Sequence, residues 1–364
     1  MTTDTHSPAP RLGLSLSGGG ITGAMYQVGC VAALEDGVEN FHTTDIDVFV
    51  GTSTGAAVAT CLAAGLSAQR MYRALLDPSD DFFPLQRNHV ARIDRAEWKR
   101  VGTTGLSAAR RLVSSVTSRL LKTNVWEELD RFWDSLPAGV FTLEPFEAFF
   151  AEFMARRGIP PHFAQMPRKL VVVASDLDAG SRACFGMGEL GKIPVARAVA
   201  ACCAIPILYA PVRIDDRDYI EGGGGDNAHI DIAADAGCDL ILIVNPLVPI
   251  RTDHDQASIP TGHGRMTRVR DKGLLWVYHQ AWRTRTETRL RQGLARFRTE
   301  NPHIEIALIE PEHEAATMFM YSPMNFAARR AILQDAYTST MKKLKTEGSP
   351  LRTALLARSF QIKE

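Results

Sequence analysis

Short apolar runs alternate along this chain with longer stretches whose apolar residues recur at helical spacing. The runs in RLGLSLS (11–17), DIDVFVGTS (45–53), KLVVVASDL (169–177), DLILIVNP (239–246) and IEIALIEP (304–311) predict strands. RACFGM (182–187) is expected to pair beside the third run, and LYAPVRIDDRDYIEG (208–222) reads as strand, turn and strand. Helices are predicted over residues 21–35 and through TGAAVATCLAAG (54–65). Strands rich in Val, Ile and Leu, separated by helices, predict an α/β fold with a mostly parallel central sheet covered on both faces. No repeat recurs at a fixed period.

Two segments break this rhythm, at about 78–167 and 251–302. The first carries a basic stretch, AARRLVSSVTSRLLK (108–122). The second carries GLLWVYHQAWRTRTETRLRQGLARF (273–297), where Leu275, Tyr278, Trp282, Leu290, Leu294 and Phe297 can share one helical face. The arginines are expected on the other face. Such a helix either turns an ordinary apolar stripe to the core, or serves as a lid or a surface that docks on anionic lipid. Residues 1–10 read as a loose tail, 11–345 as one domain with these two insertions, and 346–364 as a C-terminal tail.

Composition narrows the classes. The 364 residues carry 45% apolar and 23% charged side chains and a formal net charge of zero, as in a soluble globular protein. That balance gives no reason to expect a nucleic-acid partner. The N-terminal stretch lacks the basic and apolar regions of a secretory signal, and no apolar run approaches the roughly 20 residues that span a bilayer. Cysteines at 30, 61, 184, 202, 203 and 238 show no metal-ligand spacing and are expected to be reduced and buried. A cytoplasmic location, with peripheral membrane contact through the basic insertions, is the expectation.

The chemistry concentrates at strand ends. GTSTG (51–55) is a G-x-S-x-G turn between a predicted strand and a predicted helix. A serine nucleophile there stands at the tip of a strained turn, and Gly51 and Gly55 relieve the crowding around Ser53. Such a serine needs a base and an oxyanion hole. Among ten histidines, His229 is the nearest candidate base. The alternative is a carboxylate, and DYIEGGGGDNAHI (218–230) offers Glu221 and Asp226. SGGGITG (17–23) matches the spacing of a dinucleotide loop, but no acidic residue closes the second strand to hold a ribose, and no G-K-[ST] follows. A glycine loop at a helix start still gathers backbone N–H groups and a favourable dipole end, suited to an oxyanion.

Together, SLSGGGITGAMYQVGCVAALE (15–35), VFVGTSTGAAVAT (48–60), VVVASDLDAG (171–180) and PVARAVAACCAIPILYAPVRIDDRDYIEGGGGDN (194–227) resemble the patatin-like lipid acyl hydrolases. The resemblance runs over nearly all of residues 11–245 and implies a three-layer α/β/α fold. It implies a serine–carboxylate dyad without histidine, no metal or organic cofactor, and a lipid ester substrate cleaved through an acyl-serine. It places Ser53 as nucleophile, Glu221 at the position of the family's aspartate, and Gly18, Gly19, Gly20 and Ile21 in the oxyanion hole. Two positions depart from the family pattern. Thr22 stands where the family has Arg or Lys, and Glu221 adds a methylene to the expected aspartate. Three readings follow: Glu221 is the base, Asp226 is the base, or the dyad is impaired and the protein binds lipid without hydrolysing it. Oligomeric state and head-group preference are not written in these motifs.

Overall fold

The computed structural model describes residues 10–77, 79–93, 98–99, 134, 136–223, 228–251, 259–260, 266–312 and 326–364. The N-terminal tail, the basic stretch 108–122 and Asp226 lie outside them.

The chain opens with β1 (Leu12–Leu16), α1 (Gly20–Gly37), β2 (Val48–Thr52), α2 (Thr54–Ala63), α3 (Ala68–Leu76) and α4 (Arg87–Val90). Then come β3 (Gly139–Phe141), α5 (Glu144–Arg156), β4 (Lys169–Asp176), β5 (Ser181–Phe185) and α6 (Val195–Cys202). β6 (Ile207–Tyr209), β7 (Val212–Ile214), β8 (Arg217–Glu221), α7 (Asp231–Asp235) and β9 (Leu240–Val244) follow. The last elements are β10 (Ile259–Pro260), β11 (Met266–Thr267), α8 (Leu274–Glu300), β12 (Glu305–Ile309), α9 (Phe326–Lys345) and α10 (Pro350–Ala357).

The central sheet runs β12-β9-β1-β2-β4 with every pair parallel. β5 and the β7–β8 hairpin add antiparallel pairs at β4. Alternation along each buried strand builds a core on both faces. Leu12, Leu14 and Leu16 of β1 and Leu242 of β9 face one side, with the buried faces of α1, α2, α5, α6 and α9. Val48 and Val50 of β2 and Ile241 and Ile243 of β9 face the other, with Ile232, Leu290, Leu294 and Phe297. This is the three-layer α/β/α arrangement anticipated from the pattern.

The stretch beyond 345 does not stand apart. α10 buries Leu351, Ala354 and Leu355, and Ile362 bridges back to Val38. Pro350 at the first turn and the Ser349 side chain, which accepts from Arg352 N, start this helix. Its apolar spacing is too short to announce itself against the polar residues around it.

Candidate active site

Register places the site. β2 and β5 pair with overlapping residues of β4, so they occupy opposite edges of it. β8 overlaps β5 in the same way and shares the edge used by β2. β2 ends with Thr52 opposite Val173, and β8, running the other way, ends with Glu221 opposite Ala174. Two strands therefore finish head to head on consecutive residues of β4. The chain leaves β2 at Ser53 where Glu221 arrives. Gly222 must follow, because a Cβ there would lie 2.4 Å from Val173 O.

Ser53 holds φ 53° and ψ −132° as the cap of α2, a backbone conformation that a non-glycine residue rarely adopts. Its neighbours permit it. A Cβ on Gly51 would meet Ala56 Cα at 2.4 Å, and one on Gly55 would meet Leu16 O at 2.3 Å. Ser53 is 1% exposed and Glu221 7% exposed. A methyl group on Gly18 would stand 2.8 Å from Glu221 Oε1 and 3.1 Å from Ser53 Cβ, so this glycine keeps the space beside both side chains open. Ser53 Oγ has no partner at strict hydrogen-bond geometry. The hydroxyl nonetheless lies near enough to the Glu221 carboxyl to favour its charged form against burial. We take the two as adjacent and imperfectly aligned, as catalytic pairs often are without substrate.

Burial dominates the electrostatics and pushes Glu221 up to about 7, opposed by the Ser53 hydroxyl and by the charge of Arg283. At neutral pH the carboxyl is poised between acid and base.

The glycine segment turns from β1 into α1 around Gly19 (φ 152°), with Gly23 N donating to Gly19 O at 3.1 Å. The first-turn N–H groups of α1 have no intrahelical acceptor. Gly19, Gly20 and Ile21 line the same cavity as Ser53 and Glu221, and Gly18 packs beneath them. Thr22 is buried, and its hydroxyl turns back to Gly19 O at 3.4 Å. Thr54 Oγ1 donates to Gly20 O at 2.8 Å and ties this segment to the serine turn.

The cavity measures about 410 Å³ and is walled by apolar side chains, among them Met25, Val28, Phe82, Phe146 and Phe150. α8 closes another side with Leu275, Trp276, Tyr278, His279, Trp282 and Arg283. Burial and the charge of Arg283 push His279 down to about 4, so it is neutral at physiological pH. His229 lines a separate small cavity with Gly18 and Asn245, and its Nε2 contacts Gly222 O at 3.0 Å. It is not brought into the Ser53 cavity.

One expectation is corrected. The α8 stripe is present, but the arginines do not all take the solvated face: Arg283 is buried at 8% exposure among the apolar positions. Trp276, Arg283, Leu290 and Phe297 recur every seven residues, a spacing that could have revealed it.

Among the described residues no helix is long and apolar enough to cross a membrane, and no cluster of three or more His, Cys, Asp or Glu could hold a metal ion.

Comparison with known proteins finds remote structural similarities and one family match. The chain is similar to VipD from Legionella pneumophila at 15% identity and TM-score 0.39, over 98% of this chain and 68% of VipD. It is similar to the type III effector ExoU at 15% identity and TM-score 0.41, over 96% of this chain and 54% of ExoU. Human GIVD cytosolic phospholipase A2 matches at 12% identity and TM-score 0.34, over 96% of this chain and 60% of that one. The chain thus spans between about half and two thirds of the length of these proteins. The sequence model of the patatin-like phospholipases matches residues 14–234, more than half of the 364 residues, and the chain belongs to that family.

Proposed function

We propose that this protein is a serine lipid acyl hydrolase working through a Ser53–Glu221 dyad. The observation that carries the reading is the meeting of β2 and β8 on one edge of β4, which sets a strained, buried serine against a buried carboxylate in an apolar cavity. Glu221 accepts the Ser53 proton as Oγ attacks an ester carbonyl. The developing oxyanion is met by N–H groups of Gly19, Gly20 and Ile21 at the positive end of α1. The tetrahedral intermediate expels the alcohol, which takes the proton from Glu221. Water then attacks the acyl-serine, with Glu221 again as base, and frees the acid. The apolar walls favour an acyl chain as the group held beside Ser53.

The Arg268, Arg270, Lys272, Leu274 and Val277 stretch at the start of α8 is proposed to meet an anionic lipid surface. Its Leu274 is 75% exposed and its Val277 44% exposed.

Hydrolysis of p-nitrophenyl esters across acyl lengths tests the enzymatic reading. Turnover by wild type that is lost in Ser53→Ala supports it. Equal rates in the two proteins, or none at any chain length, leave a protein that binds lipid without cleaving it.

A further inference from the structure

Arg283 projects from α8 into the wall of the cavity and is 8% exposed. Its Nη1 donates to Pro246 O at 3.2 Å and to Val248 O at 3.0 Å. One turn earlier Gln280 takes both backbone groups of Ile250, accepting from its N–H at 3.2 Å and donating to its carbonyl at 2.7 Å. The loop after β9 is therefore fastened to α8 at Pro246, Val248 and Ile250. The same loop backs the glycine segment. A Cβ on Gly19 would meet the Pro246 ring at 2.7 Å, one on Gly23 would meet it at 3.1 Å, and Leu247 Cδ1 lies 3.7 Å from the Cβ position of Gly18.

We infer that Arg283 is a positioning residue for the Ser53–Glu221 pair: its guanidinium holds the 246–248 loop against the glycine segment and fixes a positive charge on the cavity wall shared with Glu221. The catalytic consequence rests on the hydrolase reading above; the geometry and the charge do not.

Among the described residues, the groups around Glu221 leave few other sources of charge. Ser53 reaches it from the serine turn. Cys202 of α6 and Tyr278 of α8 feel the charge of Glu221, and Cys203, His279 of α8 and Arg329 of α9 line the same cavity. Burial pushes the Cys202 thiol and the Tyr278 hydroxyl up and His279 down to about 4, so all three are neutral near pH 7. Arg283, pushed down to about 10 by burial, keeps its charge there and, among the described residues, is the cation that acts on Glu221. Burying an arginine without compensation is costly. Two carbonyl acceptors and the charge of Glu221 are the compensation this site provides.

The test follows the Glu221 carboxyl itself, by carbon-13 NMR of the full chain labelled at glutamate carboxyls, with the resonance assigned by its loss in Glu221→Gln. In Arg283→Met the Glu221 midpoint should rise by about one pH unit, as for loss of a nearby opposite charge. Arg283→Gln, which keeps a donor for Pro246 O, should show the same rise if Arg283→Met does not fold. Arg283→Lys should hold the wild-type midpoint while exchange of the Leu247 amide quickens, because a point charge cannot span both carbonyls. An unmoved midpoint in the neutral variants overturns the inference, as does an equal shift in Arg283→Lys. A wild type that cleaves no ester contradicts the hydrolase reading without altering this titration, so the two failures are told apart.

Discussion

Thr54 Oγ1 donates to Gly20 O at 2.8 Å, joining the residue after Ser53 to the first residue of α1. This bond spans 34 positions of sequence and connects the serine turn to the glycine segment, which the proposed acyl transfer requires to keep register. Thr54→Val keeps the shape and removes the donor. The expected cost is about 1 kcal/mol of stability. Activity should fall about tenfold through kcat, with KM little changed, because the loss is felt at the oxyanion. Steady-state kinetics beside thermal unfolding separates the two effects.

Gly18 gives a steric test. A methyl group there meets Glu221 Oε1 at 2.8 Å and Ser53 Cβ at 3.1 Å. Gly18→Ala should fold, judged by circular dichroism, and lose at least about a hundredfold in kcat/KM, on the scale of one misplaced catalytic group. Retention of full activity would mean that the carboxylate does not work from this position.

The base assignment predicts a pH profile. Glu221 must be ionised to accept the Ser53 proton, and burial holds it at about 7. Rates should therefore rise with an acid limb near pH 7 and level off above it. Glu221→Gln should remove most activity, with the residual rate independent of pH across that limb. Unaltered turnover in Glu221→Gln would transfer the role to another residue, and Asp226→Asn would then be the next variant to measure.

Linkage makes the same carboxyl a stability probe. The folded value of about 7 lies above the ordinary glutamate value of 4.5, so below pH 4.5 the native state carries no penalty from this group. As pH rises through 7 the buried carboxyl must ionise, and stability is lost. Wild type should become less stable relative to Glu221→Gln between pH 4.5 and 8, by a difference on the order of 3 kcal/mol. Denaturant melts at both pH values check the sign.

Much of the fold and half of the candidate site were legible in the residues themselves. The strands of β1, β2, β4 and β9 are continuous apolar runs because both of their faces are buried. Ser53, Gly51 and Gly55 announce themselves because a strained strand-to-helix turn demands that local spacing. Where Glu221 lies is a different problem. It depends on which residue of β8 falls opposite Ala174, a pairing 47 positions away that no local pattern encodes. The register brings Glu221 to the end of β2, while His229 turns to Gly222 O. Arg283 was hidden for a related reason. Amphipathic reading assigns a charge to the solvated face, whereas Pro246 O and Val248 O receive this one inside.

Lipid contact is checked separately. Leu274→Asp with Val277→Asp should weaken binding to anionic vesicles and leave cleavage of a short soluble ester intact. Binding of wild type should fall as salt rises. Equal binding to neutral and anionic vesicles would contradict the proposed surface.

The most direct measurement of the central claim is covalent capture of Ser53. A fluorophosphonate probe followed by peptide mass spectrometry should place one adduct on Ser53 in wild type, none in Ser53→Ala, and a much slower adduct in Glu221→Gln. Labelling at an equal rate in wild type and Glu221→Gln, or no labelling of wild type, would contradict a Ser53–Glu221 dyad.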